Sequence, residues 1–335
     1  MSNEIGVVGA GGWGTALAKI LADKGEQVTL WCHGADSFRQ LVETRENHTY
    51  LPGISLPPRI QVTQSLDKAV ESKFLVICAV PSHAVRETFS KIVSRLAQHT
   101  MLLCGTKGLE EGSLYTMGEL LVDIFGVERK ERLAFFSGPT FAMEVARQLP
   151  GAVTVAAYDE QVARSIQGIL STESLRVYTS SDVIGIQMGG VVKNVIAIAA
   201  GISDGLSLGQ NARAALITRG LAEMTRLAVR MGADPMTLAG LPGLGDLILT
   251  CTGDLSRNRT VGLQIASGKS LQEITASTRT VAEGVRNTRS LHSLATRLGI
   301  EMPIVEQMHQ VLYTGKKAGD AVRDLMQRSL KPEAG

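Results

Sequence analysis

Apolar residues recur along the first half of the chain in short continuous runs. EIGVVG (4–9), QVTLWC (27–32), FLVICAV (74–80), TMLLCG (100–105), RLAFFSG (132–138) and GAVTVAA (151–157) are such runs, and LRVYT (175–179) is a candidate last one. Their length and β-branched content predict buried strands. Between them ALAKILADKG, a stretch from about Ser82 and residues 159–170 carry helical spacing. Continuous runs alternating with helices predict a mainly parallel sheet covered on both faces. After about residue 183 the runs stop. VVKNVIAIAAG, ARAALITRGLAEMTRLAVRMG, TVGLQIASG, VRNTRSLHSLATRLG and VEQMHQVLYTG all show helical periodicity. The pattern therefore predicts an α/β domain over 1–183 and an all-α domain over 184–330. No Pro/Ser-rich linker separates them, and the changeover falls at GIQMGG (185–190), so firmly packed domains are expected. The tail KPEAG reads as frayed.

Length agrees with two domains: the chain has 335 residues. A net charge of +2 leaves no general field for nucleic acid or an anionic membrane, so anion binding has to be local. The four cysteines are scattered without a CxxC pair, which points to reduced thiols, a cytoplasmic location and neither a disulfide frame nor a metal site. The N-terminus enters a strand within a few residues and carries no signal-peptide pattern. No uninterrupted apolar run approaches the roughly 18 residues of a membrane span, so stable membrane insertion is not expected.

Several short motifs carry candidate chemistry. GAGGWG follows the first strand and opens a helix. Gly9 permits the tight turn, Gly11 lets backbone approach a pyrophosphate, and Gly14 lets helix and strand pack closely, which is a Rossmann-type arrangement. The next strand ends Trp31-Cys32-His33-Gly34, with no acid for a ribose hydroxyl, so NAD and NADP both stay open. His33 reads equally as an adenosine contact or an ordinary loop histidine. Lys107, in TKGLE, sits just past a parallel strand, where such sheets bind ligands, though alone it reads as a solvated loop lysine. In SGPTFA, Gly138 and Pro139 set a turn and Thr140 is placed to cap a helix, whose amides suit an anionic or carbonyl oxygen. In GLGDLILTCTGDLSRNR, Gly243 and Gly245 suggest a flexible approach to Asp246. Arg257 beside Asn258 makes either a phosphate clamp or a basic solvated turn. Glu283, in VAEGVRNT, reads otherwise as an ordinary helix start.

Lys193 is the oddest residue. It lies in GGVVKNVIAIAAG, and its helical neighbours Gly189, Gly190, Ile196 and Ala197 are uncharged and mostly small. The ordinary alternative is a stem lying along apolar surface with its head in water. The apolar face argues instead for an ammonium that is used, on a helix side that lets a ligand or another backbone come close.

Taken together, GAGGWGTALA, NHTYLPG, VPSHAV, TKGLE, SGPTFA, GGVVKNVIAIAAG, NARAALITRGLAEM, GLGDLILTCT, SRNR and EGVRNT occur in order over almost the whole chain. In this the chain resembles the soluble, prokaryotic-type NAD(P)-dependent glycerol-3-phosphate dehydrogenases. The resemblance implies a Rossmann domain binding NAD or NADP and a helical domain similar to the C-terminal one of 6-phosphogluconate dehydrogenase. It implies interconversion of glycerol 3-phosphate and dihydroxyacetone phosphate, supplying phospholipid synthesis. By the same resemblance Lys193 is catalytic and touches substrate. Lys107 meets substrate and cofactor, and Gly138, Thr140, Asp246, Ser256, Arg257 and Asn258 contact substrate or its phosphate. Gly12, Trp13, His33, Tyr50, Ala142, Arg257, Val281 and Glu283 lie on the cofactor side with Gly9, Gly11 and Gly14. Relatives often carry serine where this chain has Gly12 and a basic residue where it has Gly34, so coenzyme preference stays open. Oligomeric state is open too, a homodimer included.

Overall fold

A computed structural model describes residues 3–277, 282–330 and 332–333. Among the described residues ten strands fall in the N-terminal part: β1 (Glu4–Val8), β2 (Gln27–Trp31), β3 (Glu46–Asn47), β4 (Leu51–Ser55), β5 (Ile60–Thr63), β6 (Leu75–Cys78), β7 (Met101–Cys104), β8 (Leu133–Ser137), β9 (Gly151–Ala157) and β10 (Leu175–Ser180). Eight form one sheet in the order β10-β9-β8-β7-β6-β1-β2-β5. Every pairing in it is parallel except β8 with β9. The continuous apolar runs thus become strands buried on both faces. Val7, Ile77, Leu103 and Phe136 enter the core on one face, and Val8, Cys78, Cys104 and Phe135 the core on the other.

The runs do not announce β3, β4 and β5. β5 has only four residues and follows Pro57-Pro58, and β4 contains both Pro52 and Gly53. These lie outside the periodic signal because edge strands and isolated hairpins tolerate residues that an inner strand rejects. β3 and β4 form a separate antiparallel hairpin.

The chain then enters a helix, Val183–Gly205, buried at every residue from Met188 to Ser203. GIQMGG lies within its first turns and is not a loop. Val183 and Ile186 join the core under the sheet, whereas Met188 and the residues after it organise the helical core. One rigid element therefore belongs to both cores. An 18-residue window of this 23-residue helix has mean hydropathy 1.7, which meets the length and composition of a membrane span, but 94% of that window is buried inside the protein. A helix apolar on all sides is here the axis of a core.

Helices Gly209–Arg230, Asp246–Thr252, Arg257–Ala266, Glu283–Leu298 and Pro303–Tyr313 surround that axis. The tightest approach is to Arg257–Ala266. A Cβ on Gly201 would lie 2.0 Å from the Arg259 carbonyl oxygen, and one on Gly262 would lie 2.1 Å from that of Ile198. Two backbones meet there without side chains between them. Gly262→Ala is expected to destabilise the chain by about 3 kcal/mol, because neither backbone can retreat without opening the core. Urea unfolding measures it, and a loss under about 0.5 kcal/mol would mean that the contact is loose.

Candidate active site

Asp246 is the first residue of helix Asp246–Thr252 and is wholly buried. Its position follows from backbone packing upstream. Residues Leu241–Gly245 form a π-helical turn against the central helix. A Cβ on Gly189 would meet the Pro242 oxygen at 2.3 Å, and one on Gly243 would meet the Leu238 oxygen at 2.0 Å. Gly243 is thus a close-packing residue, and the expected flexible approach to Asp246 is a tightly seated turn.

Asp246 holds two lysines, one from each part of the chain. Lys193, on the central helix, donates to Oδ1. It also donates to the Thr250 hydroxyl oxygen at 3.0 Å. Lys107, just past β7, donates to Oδ2 at 2.7 Å. The Ser137 hydroxyl, at the end of β8, reaches the same oxygen at 3.3 Å. Lys193 is only 6% exposed, so its solvated alternative is set aside.

Charge in this cluster is finely balanced. Burial drives the Lys193 ammonium down, Asp246 pulls it back up, Lys107 pushes it down again, and the result is about 7. Burial pushes the Asp246 carboxyl up, but Lys107 and Lys193 together outweigh it and hold it below the usual range.

A second chain of contacts, without an ion pair, runs alongside. Asn258 Nδ2 donates to Asn194 Oδ1 at 2.8 Å, and Asn258 Oδ1 accepts from the Gly284 amide at 2.9 Å. Beside Gly284, the Glu283 carboxylate accepts from the Ser82 hydroxyl at 2.8 Å and its amide at 3.4 Å. Asn258 therefore braces three helices, and its second amide hydrogen has no hydrogen-bond partner among the described residues. Its neighbour Arg257 is exposed and has no ion-pair partner among the described residues. Ser256 caps its helix by accepting from the Arg259 amide at 3.2 Å, which leaves its hydroxyl proton free. Arg259, the last residue of SRNR, pairs with Asp204 and Asp254.

The glycine turn lies at the carboxyl end of β1. Gly9 has φ +122°, and a Cβ on Gly14 would lie 1.9 Å from the Gly9 oxygen, so both are sterically required. Gly11 is extended and precedes helix Gly12–Asp23, whose first turn has no side-chain cap. A Cβ on Gly11 would meet nothing within 4 Å. Orphan amides beside open space fit a pyrophosphate, and on that observation the turn suits a dinucleotide. Trp13 stacks on Phe136 of β8 at 5.6 Å. A Cβ on Gly12 would lie 2.8 Å from the Tyr50 oxygen and 3.8 Å from the Ala142 Cβ. His33 is exposed and rests against Trp31 at 5.5 Å, apart from the lysine cluster. Val281 lies outside the described residues.

One expectation needs correcting. Thr140 caps no helix: the following helix, Ala142–Ala146, starts after Phe141 and has no side-chain cap. The Thr140 hydroxyl turns back to the Gly138 oxygen at 3.2 Å. Gly138 itself is needed for close approach, since a Cβ would lie 2.8 Å from the Ala152 oxygen. Sequence reasoning also passed over Ser137, Asn194 and Thr250. Thr250 had a usable signal, because four residues past Asp246 on a helix it must lie over it. Among the described residues no three His, Cys, Asp or Glu side chains gather to hold a metal.

A neutral-poised ammonium, kept dry at the seam between a dinucleotide-type sheet and a helical lobe, is the equipment of a two-domain oxidoreductase. Residues 4–163 match the N-terminal part, and residues 182–323 the C-terminal part, of the NAD-dependent glycerol-3-phosphate dehydrogenase family. The chain belongs to that family. It is 52% identical over 333 residues to a glycerol-3-phosphate dehydrogenase [NAD(P)+] of Citrifermentans bemidjiense, covering 99% of both chains. It is 50% identical to the Syntrophotalea carbinolica protein of the same name, covering 98% of this chain and 99% of that one. Its fold matches the crystal structure of glycerol-3-phosphate dehydrogenase from Coxiella burnetii with TM-score 0.93 and 40% identity, over 98% and 99% of the two chains.

The charge balance can be tested by Asp246→Asn. Asp246 raises the folded-state value of Lys193, so its removal lowers that value. Stability is then lost where native Lys193 is protonated, below about pH 7, and the deficit narrows above it. Urea unfolding is expected to show a loss of about 3 kcal/mol near pH 6 and a clearly smaller one near pH 8.5. Equal losses at both would assign Asp246 a packing role alone.

Proposed function

We propose that this protein reversibly reduces dihydroxyacetone phosphate to sn-glycerol 3-phosphate with NADH or NADPH. The observation that carries the reading is the buried Lys193, held between Asp246 and Thr250 with Lys107 on the other carboxylate oxygen. The dinucleotide, when bound, supplies the hydride. Orphan amides after Gly11, with Gly9 and Gly14 setting the turn, would hold its pyrophosphate. Trp13, His33, Tyr50, Ala142 and Glu283 would line the rest of its path.

The chain's own residues manage oxygen and phosphate. Lys193 as an ammonium stabilises negative charge growing on the substrate oxygen and then donates a proton to it. In the reverse direction its neutral amine accepts the hydroxyl proton. A value of about 7 leaves both forms populated near neutrality. Asp246 and Thr250 aim the nitrogen, and Lys107 adds a second positive charge. Arg257 gives an unpaired guanidinium for the phosphate, joined by the spare Asn258 amide hydrogen and the Ser256 hydroxyl. Gly138 and Thr140 form the turn beneath the substrate. On this reading 1–183 binds the dinucleotide and 184–330 completes the substrate site. The product would feed phospholipid synthesis in the cytoplasm.

The direct test follows NADH and NADPH absorbance with dihydroxyacetone phosphate. Lys193→Ala is expected to lower kcat by about 1000-fold while NADH binding persists. Near-native turnover in that variant would remove Lys193 from the chemistry. Arg257→Ala is expected to raise the KM for dihydroxyacetone phosphate by about 10- to 100-fold, the worth of a charge-assisted contact. Activity with unphosphorylated dihydroxyacetone should stay unchanged, and equal losses for both substrates would argue against a phosphate grip.

A further inference from the structure

The hairpin β3–β4 takes no part in the main sheet, and its inner residue, Asn47, carries none of the chemistry assigned so far, yet that residue is fully engaged with the glycine turn. Asn47 is 2% exposed. Its Nδ2 donates to the Ala10 carbonyl at 2.9 Å and to the Thr15 hydroxyl at 2.8 Å. Its Oδ1 accepts from the Tyr50 amide at 3.1 Å. One side-chain amide thus ties together the turn, the first turn of the following helix, and the hairpin tip whose carbonyl lies over Gly12. The hairpin is itself fixed: Glu46 accepts from the Gly53 amide at 2.7 Å, and Leu51 and Ile54 pack with Ala16 and Ala146.

We propose that Asn47 is a positioning residue for the dinucleotide, holding the backbone of Ala10–Gly11–Gly12 in its binding conformation before the ligand arrives. This rests on the reading of the glycine turn as the pyrophosphate site. The physical reason lies in the turn's composition. Two successive glycines, Gly11 and Gly12, have more backbone freedom than any other pair, and ordering them on binding would weaken affinity. The turn cannot be stiffened by side chains, because Gly11 must stay open and a Cβ on Gly12 would strike Tyr50. An amide reaching in from a neighbouring hairpin fixes the Ala10 carbonyl without filling the cradle. Preorganisation of this kind appears in ligand affinity and not in the chemical step.

The experiment compares Asn47→Ala with Leu51→Ala, which loosens the apolar seat of the same hairpin but leaves the amide in place. NADH affinity is read without substrate from quenching of tryptophan fluorescence, alongside KM, kcat and the urea midpoint. For Asn47→Ala the Kd and KM for NADH are expected to rise about 10-fold, with kcat at saturating NADH within about twofold and the KM for dihydroxyacetone phosphate unchanged. Asn47→Ser, which keeps one donor, should fall between the two, and it serves the same comparison if Asn47→Ala does not fold. A lowered urea midpoint with unchanged NADH affinity, or an affinity loss no larger than that of Leu51→Ala, would overturn the proposal. If the unaltered chain bound neither NADH nor NADPH, the cofactor reading would fall and the proposal with it. Native NADH binding without dihydroxyacetone phosphate reduction would overturn only the substrate reading.

Discussion

A single buried carboxylate closes the seam between the two halves of this chain. Asp246 gives one oxygen to Lys193 and Thr250 of the helical half and the other to Lys107 and Ser137 at the sheet's carboxyl edge. Two ammonium groups on one carboxylate leave the cluster with a surplus of positive charge when both are protonated. Burial of such a surplus is unfavourable in itself. It is the electrostatic condition that favours a developing oxyanion, because the field is fixed in advance and water does not screen it.

Asp246 can occupy that point only because backbones touch upstream of it. The seat of the 241–245 turn on Gly189, and of Gly243 on Leu238, sets where helix Asp246–Thr252 begins. The parallel brace through Asn194, Asn258 and Gly284, ending at Glu283 and Ser82, ties the same central helix to the loop after β6. One brace is ionic, and the other rests mainly on side-chain amides.

Much of this was legible in the sequence where a signal was periodic or sterically forced. Continuous apolar runs gave β1, β2 and β6 to β10, and the glycine spacing gave the turn after β1. Gly9 and Gly14 have to be glycine, the first for its positive φ and the second for its close approach to the Gly9 oxygen. The hairpin β3–β4 escaped because its residues answer to the glycine turn and not to a sheet period. Thr140 looked like a cap because threonine before a helical run usually is one, but the chain takes one more extended residue, Phe141, before turning. Arg257 and Asn258 differ in their surroundings although they are neighbours. Adjacent residues at a helix start point in different directions, so one faces solvent and the other is drawn into the helix bundle.

Uncharged, mostly small residues surround Lys193 on its helix face. A smooth helical face admits either a ligand or a second backbone. Here it admits protein: Gly189 receives the Pro242 carbonyl, and Gly190 lies against the stem of Lys107, 3.2 Å from where its Cβ would be. The glycines do not open a path to the lysine; they bring its partners within reach. Any larger side chain at either position would push the 241–245 turn or the Lys107 stem away, and the carboxylate that links them would no longer span both nitrogens. The titration of Lys193 near neutrality is therefore set two steps back from its own nitrogen. Glycine spacing on the central helix determines how close the backbones come, that closeness determines how dry the cluster is, and dryness is the largest influence on the lysine's proton.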